Sequence, residues 1–171
     1  WGAGVCIGIA VVVDYGISHL LAAGGADVNL TILFQVAVQA PIVEEFGKGV
    51  GILLVYLFAR RYFDGPVDGI VYGALIGGGF AFTENIQYFA LQINESGRFD
   101  VAVAEIFFIR GLLSPFAHVM FTAATGFFIG LAARKGTTAG GIGMFFVGLI
   151  PAIALHMFWN GVLFFIYDFY G

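Results

Sequence analysis

Residues 141–170 read GIGMFFVGLIPAIALHMFWNGVLFFIYDFY, an apolar run in which Asp168 is the only charged residue. A helix needs roughly 20 predominantly apolar residues to cross a bilayer, so this run is long enough to be a transmembrane helix. Similar runs precede it along most of the chain. The predicted spans are 2–23, 30–59, 70–91, 101–134 and 141–170.

The composition agrees with this interpretation. Of the 171 residues, 60% are hydrophobic and 11% are charged, and the mean hydropathy is +0.97, whereas about a quarter of a soluble domain is charged. The runs are continuous, which disfavours the alternating strands of a membrane barrel. We predict an all-α polytopic membrane protein, a compact bundle of about five transmembrane helices with kinks or re-entrant starts near Pro41 and Pro115. Residues 1–171 are expected to form one transmembrane domain.

Several classes of function are disfavoured at this stage. A net charge of −4 leaves no basic surface for nucleic acid, and no GxGxxG motif indicates a nucleotide site. The single cysteine, Cys6, cannot form an internal disulfide. The chain begins at Trp1 without a basic leader, so we expect it to be a trimmed piece or the ordered part of a longer protein, with room for a further span outside it.

Positive charge indicates the orientation in the membrane. Arg60 and Arg61 follow the second span and Arg134 and Lys135 follow the fourth, whereas the opposite loops contain only Arg98. Because basic loops stay inside, residues 60–69 and 135–140 are predicted to be cytoplasmic, in a multi-pass protein of the plasma membrane.

Pairs of glycines at GxxxG spacing occur in three spans and permit close contact between helices. Packing within the chain is the preferred interpretation, and dimerisation is the alternative. The pairs are Gly47/Gly51, Gly73/Gly77 and Gly126/Gly130.

Ionisable residues within the spans carry the functional signal. The five charged ones would cost on the order of 12 to 18 kcal/mol if all were ionised and faced lipid, so they must be paired or gathered around a cavity. The residues are Glu44, Glu45, Lys48, Glu84, Arg110, His118 and His156, with Asn85 and Asn160 beside them.

Helix geometry predicts that these groups meet. Counted at about 1.5 Å per residue from the cytoplasmic ends, Glu45, Glu84, His118 and His156 all lie roughly 21 to 24 Å deep. We therefore predict one polar cavity rather than scattered pairs.

Spacing within each helix suggests roles. Glu44 and Lys48 can pair at i,i+4, whereas Glu45 points about 100° away and could be free. His156 and Asn160 share a helix face, and both can donate hydrogen bonds to a developing oxyanion, while a carboxylate near a histidine can deprotonate water. These are the parts of a hydrolytic site. Arg110 is expected to be a counter-charge for Glu84. Thr122 and Thr125 are expected to bond back to their own helix.

Five stretches contain these residues. They are Pro41-Ile-Val-Glu44-Glu45-Phe-Gly-Lys48, Asp68-Gly69-Ile-Val-Tyr72-Gly73, Gly79-Phe80-Ala-Phe-Thr-Glu84-Asn85-Ile-Gln-Tyr88, Arg110 with His118, and His156-Met-Phe-Trp-Asn160. Together they resemble successive motifs of the PrsW family of intramembrane proteases over roughly residues 40–161. The related CAAX prenyl endopeptidases have a similar glutamate pair and His-x-x-x-Asn motif. They have Phe-x-x-x-His where this chain has Phe80-x-x-x-Glu84, so the second histidine is assigned to His118.

The resemblance implies peptide-bond hydrolysis at the membrane, with single-span, anti-sigma-factor-like proteins as substrates. In the preferred mechanism Glu45 or Glu44, with His118, deprotonates water, His156 and Asn160 stabilise the oxyanion, and no cofactor is required. Lys48, Glu84, Asn85 and Arg110 are expected to support the site.

Two other interpretations stay open. A zinc hydrolase would use Glu45, His118 and His156 as ligands, since two histidines and a glutamate bind zinc in several enzymes. A proton-coupled transporter or a noncatalytic scaffold would also place ionisable residues within the membrane.

Overall fold

The computed structural model describes residues 1–97, 101, 104, 107–134 and 136–170, and every regular element in these ranges is helical. Arg98 and Lys135, which contribute to the predicted orientation, lie outside the described residues. The helices are α1 (Ile7–Ala23), α2 (Val28–Phe34), α3 (Ala40–Phe58), α4 (Pro66–Ser96), α5 (Ser114–Ala133) and α6 (Thr138–Tyr170). Wider π-helical turns occupy Gly2–Cys6, Gln35–Gln39 and Phe107–Leu113, and a 3-10 turn occupies Arg60–Tyr62.

The predicted all-α membrane fold is confirmed. Within the described residues, three helical segments are long and apolar enough to cross a membrane: Gly2–Ala23, Ser114–Ala133 and Thr138–Ile166. The other two predicted spans correspond to the helical segments α2–α3 and α4. These two helices contain most of the charged residues of the site, which lowers their hydropathy.

Pro41 and Pro115, where the sequence predicts kinks or re-entrant starts, each follow a π-helical turn. Pro41 is the second residue of α3, directly after Gln35–Gln39, and Pro115 is the second residue of α5, directly after Phe107–Leu113. A proline has no N–H to donate to the preceding turn, so a helix that continues through it must change its hydrogen bonding there. The backbone at Gln39 and Ala40 stays right-handed helical, and the predicted distortion near Pro41 is therefore a local widening rather than a break.

Helix α4 begins and ends at sequence signals. Pro66 occupies its first position, where a missing N–H costs nothing. The Asp68 carboxylate accepts a hydrogen bond from the backbone N–H of Asp64 at 2.9 Å, just ahead of the helix. At the other end Gly97 has φ 67°, the left-handed conformation that favours glycine.

A stripe of glycines on α4 lies against the backbone of α5. A Cβ atom added at Gly77 would lie 2.6 Å from the carbonyl oxygen of His118, and one at Gly73 would lie 2.8 Å from that of Thr122. Gly69 opposes Gly126 in the same way. The glycine pairs of these two helices therefore serve packing within the chain, and the close approach brings Glu84 of α4 next to His118 of α5.

The apolar core lies towards the end of the bundle with the basic loops. It comprises Ile52, Tyr56, Phe63, Ile129, Phe145 and Leu149. The Tyr56 hydroxyl donates a hydrogen bond to the carbonyl of Thr137 at 2.8 Å and accepts one from Arg60 at 3.2 Å. The two loops that follow α3 and α5 therefore meet at one end of the molecule.

Candidate functional site

Lys48 lies at the centre of the polar cluster. Its side chain has no solvent exposure, and its Nζ atom lies 2.6 Å from Glu45 Oε1 and 3.4 Å from Glu44 Oε2. The same nitrogen lies 3.1 Å from Nδ1 of His118, and it sits 4.2 Å from the centre of the Phe80 ring. A buried ammonium needs such partners, so Lys48 joins both glutamates of α3 to the histidine of α5.

Glu45 is the more constrained of the two adjacent glutamates. Its side chain is fully buried, its Oε1 lies 3.0 Å from Nδ1 of His156, and its Oε2 accepts a hydrogen bond from the Thr122 hydroxyl at 3.0 Å. The expectation that this carboxylate could be free is wrong. The rotation of about 100° between neighbouring residues turns Glu45 towards α5 and α6, and Lys48 reaches it at i,i+3.

The expectation for the two threonines is wrong as well. Thr122 hydrogen-bonds Glu45, and the Thr125 hydroxyl donates to the carbonyl of Gly148 on α6 at 3.2 Å. Thr122 lies four residues after His118 and so on the same face of α5, which is the sequence signal that could have identified it. Sequence reasoning missed this residue of the site.

Glu44 has the looser environment. Its carboxylate lies 3.4 Å from Lys48 Nζ and 3.9 Å from the Nε2 atom of His156, and its side chain is 9% exposed. Together with His118 and His156 it forms a group of buried ligands whose nearest donor atoms all lie within 4.8 Å of one another. The predicted ligand set contained Glu45 instead. The structure differs because Glu45 is turned into its contacts with α5 and α6.

An ion pair between Glu84 and Arg110 borders this group. Glu84 Oε1 lies 3.1 Å from Arg110 Nη2, as expected for a counter-charge, and the guanidinium also lies 3.3 Å from the centre of the Tyr88 ring. Glu84 Oε2 lies 3.0 Å from Nε2 of His118 but has no aligned hydrogen bond among the described residues. Asn85 is buried beside it, and its Oδ1 likewise has no hydrogen-bond partner there.

Aromatic rings enclose the two histidines. The rings of His118 and His156 are perpendicular with their centres 4.9 Å apart, and Phe121 stacks on His156 at 5.1 Å. The centre of the Phe80 ring lies 5.6 Å from that of His118. These apolar walls limit water and lower the local dielectric, which strengthens interactions between the charged groups.

Asn160 has a different partner from the rest of the cluster. Its Nδ2 donates a hydrogen bond to the carbonyl of Val36 at 3.0 Å, in the π-helical turn before α3. Asn160 thus bonds to the backbone of the turn Gln35–Gln39 rather than to another side chain of the cluster. The residues that the structure does bring together in the cluster are Glu44, Glu45, Lys48, Glu84, Arg110, His118 and His156.

The polar cluster is built from residues of the motifs that the sequence singled out, and the chain matches the PrsW family intramembrane metalloproteases over residues 1–170. The chain belongs to the PrsW family. It is 35% identical to Protease PrsW of Geobacillus kaustophilus over 118 residues, which are 68% of this chain and 46% of that protein. It is 29% identical to Protease PrsW of Clostridioides difficile over 132 residues, 77% of this chain and 52% of that one.

A third PrsW relative, from Bacillus subtilis, is 35% identical over 81 residues, 47% of this chain and 33% of its own. This chain spans about half the length of the first two relatives. No solved structure matches it significantly. The family predicted from the sequence motifs is confirmed.

The matched family is described as intramembrane metalloproteases, so these residues are compared with the ligands that a metal ion needs. Two imidazoles and a carboxylate are the ligand set of several catalytic zinc sites. The three carboxylates of the cluster face two cations, Lys48 and Arg110, and with neutral histidines they leave a formal charge of −1, which suits a divalent ion. Glu44, His118 and His156 therefore supply the ligand types of a zinc site, and a bound ion would take one ring nitrogen of His118 from its contact with Lys48 or Glu84.

Proposed function

We propose that this PrsW-family chain is the membrane-embedded core of a zinc-dependent intramembrane peptidase. The observation that carries the proposal is the convergence of Glu44, His118 and His156 from three helices, with ligand atoms within 4.8 Å, inside a bundle of apolar helices. The description of the family as metalloproteases supports the metal-dependent mechanism over the metal-free one.

Each residue near the ligands has a role that its contacts support. Zinc, when bound, supplies a Lewis acid that polarises the peptide carbonyl and activates water. Glu45 acts as a positioning residue, because its contact with Nδ1 of His156 leaves Nε2 of that ring to bind the metal. Lys48 balances the two glutamates. Glu84, whose Oε2 lies 3.0 Å from Nε2 of His118, is the candidate to accept a proton from water.

The metal-free mechanism remains the second candidate for the same reaction. In it Glu44, the less constrained carboxylate, acts with His118 as the base, and the oxyanion role predicted for His156 and Asn160 is kept. The hydrogen bonds that His156 and Asn160 make to other partners argue against it.

Substrate and orientation complete the proposal. The substrate class is a membrane-anchored protein with a single span, of the anti-sigma-factor type, reached within the bilayer of the plasma membrane. Residues 60–69 and 135–140 are proposed to face the cytoplasm, which is supported by the meeting of the two basic loops through Tyr56, Arg60 and Thr137.

The test combines metal analysis with a cleavage assay. Purified protein in liposomes would be measured for bound zinc and presented with single-span test substrates, alongside Glu44→Gln and His156→Ala. His19→Ala is the matched control, because His19 lies exposed on α1 and outside the ligand group. We expect one zinc ion per chain and a cut near the membrane, both lost in the first two variants and in chelator, and both retained in the control.

Other outcomes separate the alternatives. Full cleavage by protein without zinc would replace the metal-dependent mechanism with the metal-free one. Zinc binding without cleavage of any substrate would direct the next measurement to proton or solute flux. Cleavage that survives both Glu44→Gln and His156→Ala would overturn the site itself.

A further inference from the structure

In the π-helical turn ahead of α3, one backbone carbonyl receives no hydrogen bond from an N–H of its own helix. In the turn Gln35–Gln39 the N–H of Ala40 donates to the carbonyl of Gln35, five residues back. The next nitrogen along the chain belongs to Pro41 and carries no hydrogen. The carbonyl of Val36 would receive its bond from one of these two nitrogens, so the helix leaves it without a donor.

The side chain of Asn160 supplies the missing hydrogen bond. Its Nδ2 atom lies 3.0 Å from the Val36 oxygen, and the two residues are 124 positions apart in the sequence. Asn160 belongs to a helix segment that is apolar enough to span a membrane. In such surroundings no water replaces a lost donor, and an unsatisfied backbone group is costly.

This hydrogen bond has a consequence for the ligand group. Asn160 follows His156 by four residues, so the two side chains leave α6 on the same face, and both make polar contacts with the α2–α3 segment. One contact is His156 with Glu45, and the other is Asn160 with Val36. The second contact holds the π-helical turn. A change there of one residue in register would rotate the following helix by about 100°, so that one glutamate of the pair would take the direction of the other and the second would turn away.

We propose that Asn160 is a positioning residue that satisfies the carbonyl exposed by Pro41 and so holds α3 in the register that directs Glu44 to the ligand group and Glu45 to His156. The link to catalysis rests on the proposed peptidase function. The role of the hydrogen bond between Asn160 and the Val36 carbonyl does not rest on that function, because it is measured as the stability of the metal-free protein.

The experiment is a double-mutant cycle in which Pro41→Ala returns an N–H to the turn. Thermal unfolding of the metal-free protein in detergent would be measured for Asn160→Ala, Pro41→Ala and the double variant. We expect Asn160→Ala to lower Tm by about 2 to 12 °C. In the Pro41→Ala background the same change should cause less than half of that loss. Pro115→Ala is the matched control: it removes the proline that follows the π-helical turn Phe107–Leu113, ahead of α5, and should give no such relief.

Activity and zinc affinity distinguish a positioning residue from an oxyanion donor. The cycle predicts that Asn160→Ala weakens zinc binding about tenfold, and that Pro41→Ala restores both zinc binding and kcat. An oxyanion donor would lower kcat with zinc affinity unchanged and with no relief by Pro41→Ala. If the wild-type protein cuts no substrate, the peptidase proposal fails while the Tm and zinc measurements still decide the role of Asn160.

A spectroscopic measurement covers the case in which Pro41→Ala does not fold. The carbonyl carbon of Val36, labelled with ¹³C, should shift upfield in Asn160→Ala as its hydrogen bond is lost, and should not shift in His19→Ala. Equal losses of Tm in both backgrounds, or an unchanged Val36 resonance, would overturn the proposal.

Discussion

Replacement of each of the adjacent glutamates by glutamine should have very different effects on stability. Glu45→Gln removes the charge that lies 2.6 Å from a fully buried ammonium. Breaking a buried pair from one side costs about 3–5 kcal/mol. The remaining carboxylate of Glu44 stays 3.4 Å from Lys48, so the lower end of that range, about 3 kcal/mol, applies.

Glu44→Gln removes only the longer contact and leaves Lys48 with its closest partner. We expect a loss of about 1 kcal/mol, the net value of one hydrogen bond. The difference of about 2 kcal/mol corresponds to roughly a 30-fold difference in the unfolding constant. In a chain of this size the Tm should fall by about 6–12 °C for Glu45→Gln and about 2–4 °C for Glu44→Gln.

The assay is thermal unfolding of metal-free protein in detergent micelles, followed by circular dichroism. Zinc binding to the same two proteins gives the complementary result, because Glu44→Gln should remove a ligand from a folded protein. The assignment of a structural role to Glu45 and a ligand role to Glu44 is refuted if both variants unfold at the same temperature, or if Glu44→Gln retains full zinc affinity.

Three further predictions concern the packing and the ligand group. Gly77→Ala should destabilise the protein by about 1–3 kcal/mol, because its new Cβ meets the backbone of His118. Its neighbour Gly78→Ala, whose Cβ would meet only a side-chain carbon at 3.5 Å, should unfold at nearly the wild-type temperature in the same assay. Thr122→Val keeps the shape of the side chain but leaves Glu45 Oε2 without its donor, so urea unfolding should give a stability loss of about 1–3 kcal/mol. Zinc at 100 times its Kd should raise stability by about 2.7 kcal/mol, and an equal rise in His118→Ala would contradict the ligand assignment.

Much of the fold could be predicted from the amino-acid sequence. Hydrophobic runs and proline positions depend only on the order of residues, so the apolar helices and the distortions at Pro41 and Pro115 were open to sequence reasoning. The pairing of Arg110 with Glu84 was expected because a charge within the membrane needs an opposite charge. The common depth of the glutamates and histidines was also predictable, because the rise per residue is constant.

The assignment of roles within the cluster was not predictable in this way. Which of two adjacent carboxylates faces a ligand group depends on the rotation of α3 about its axis, and that rotation is set by packing against other helices. The hydrogen bond from Thr122 to Glu45 and the one from Asn160 to Val36 each join residues more than 70 positions apart. Spacing along α5 places Thr122 beside His118, but the partner of neither side chain could be inferred from spacing along one helix.

The helical membrane class, the family and the residues of the polar cluster can thus be inferred from composition, motifs and spacing along the chain. The folded arrangement is needed to see that Glu45 is held by Lys48, His156 and Thr122 while Glu44 lies beside the two histidines. The physical reason is that the glycine stripe of α4 and the π-helical turns set how closely the helices approach and how each is rotated, and those quantities arise only when the helices pack together.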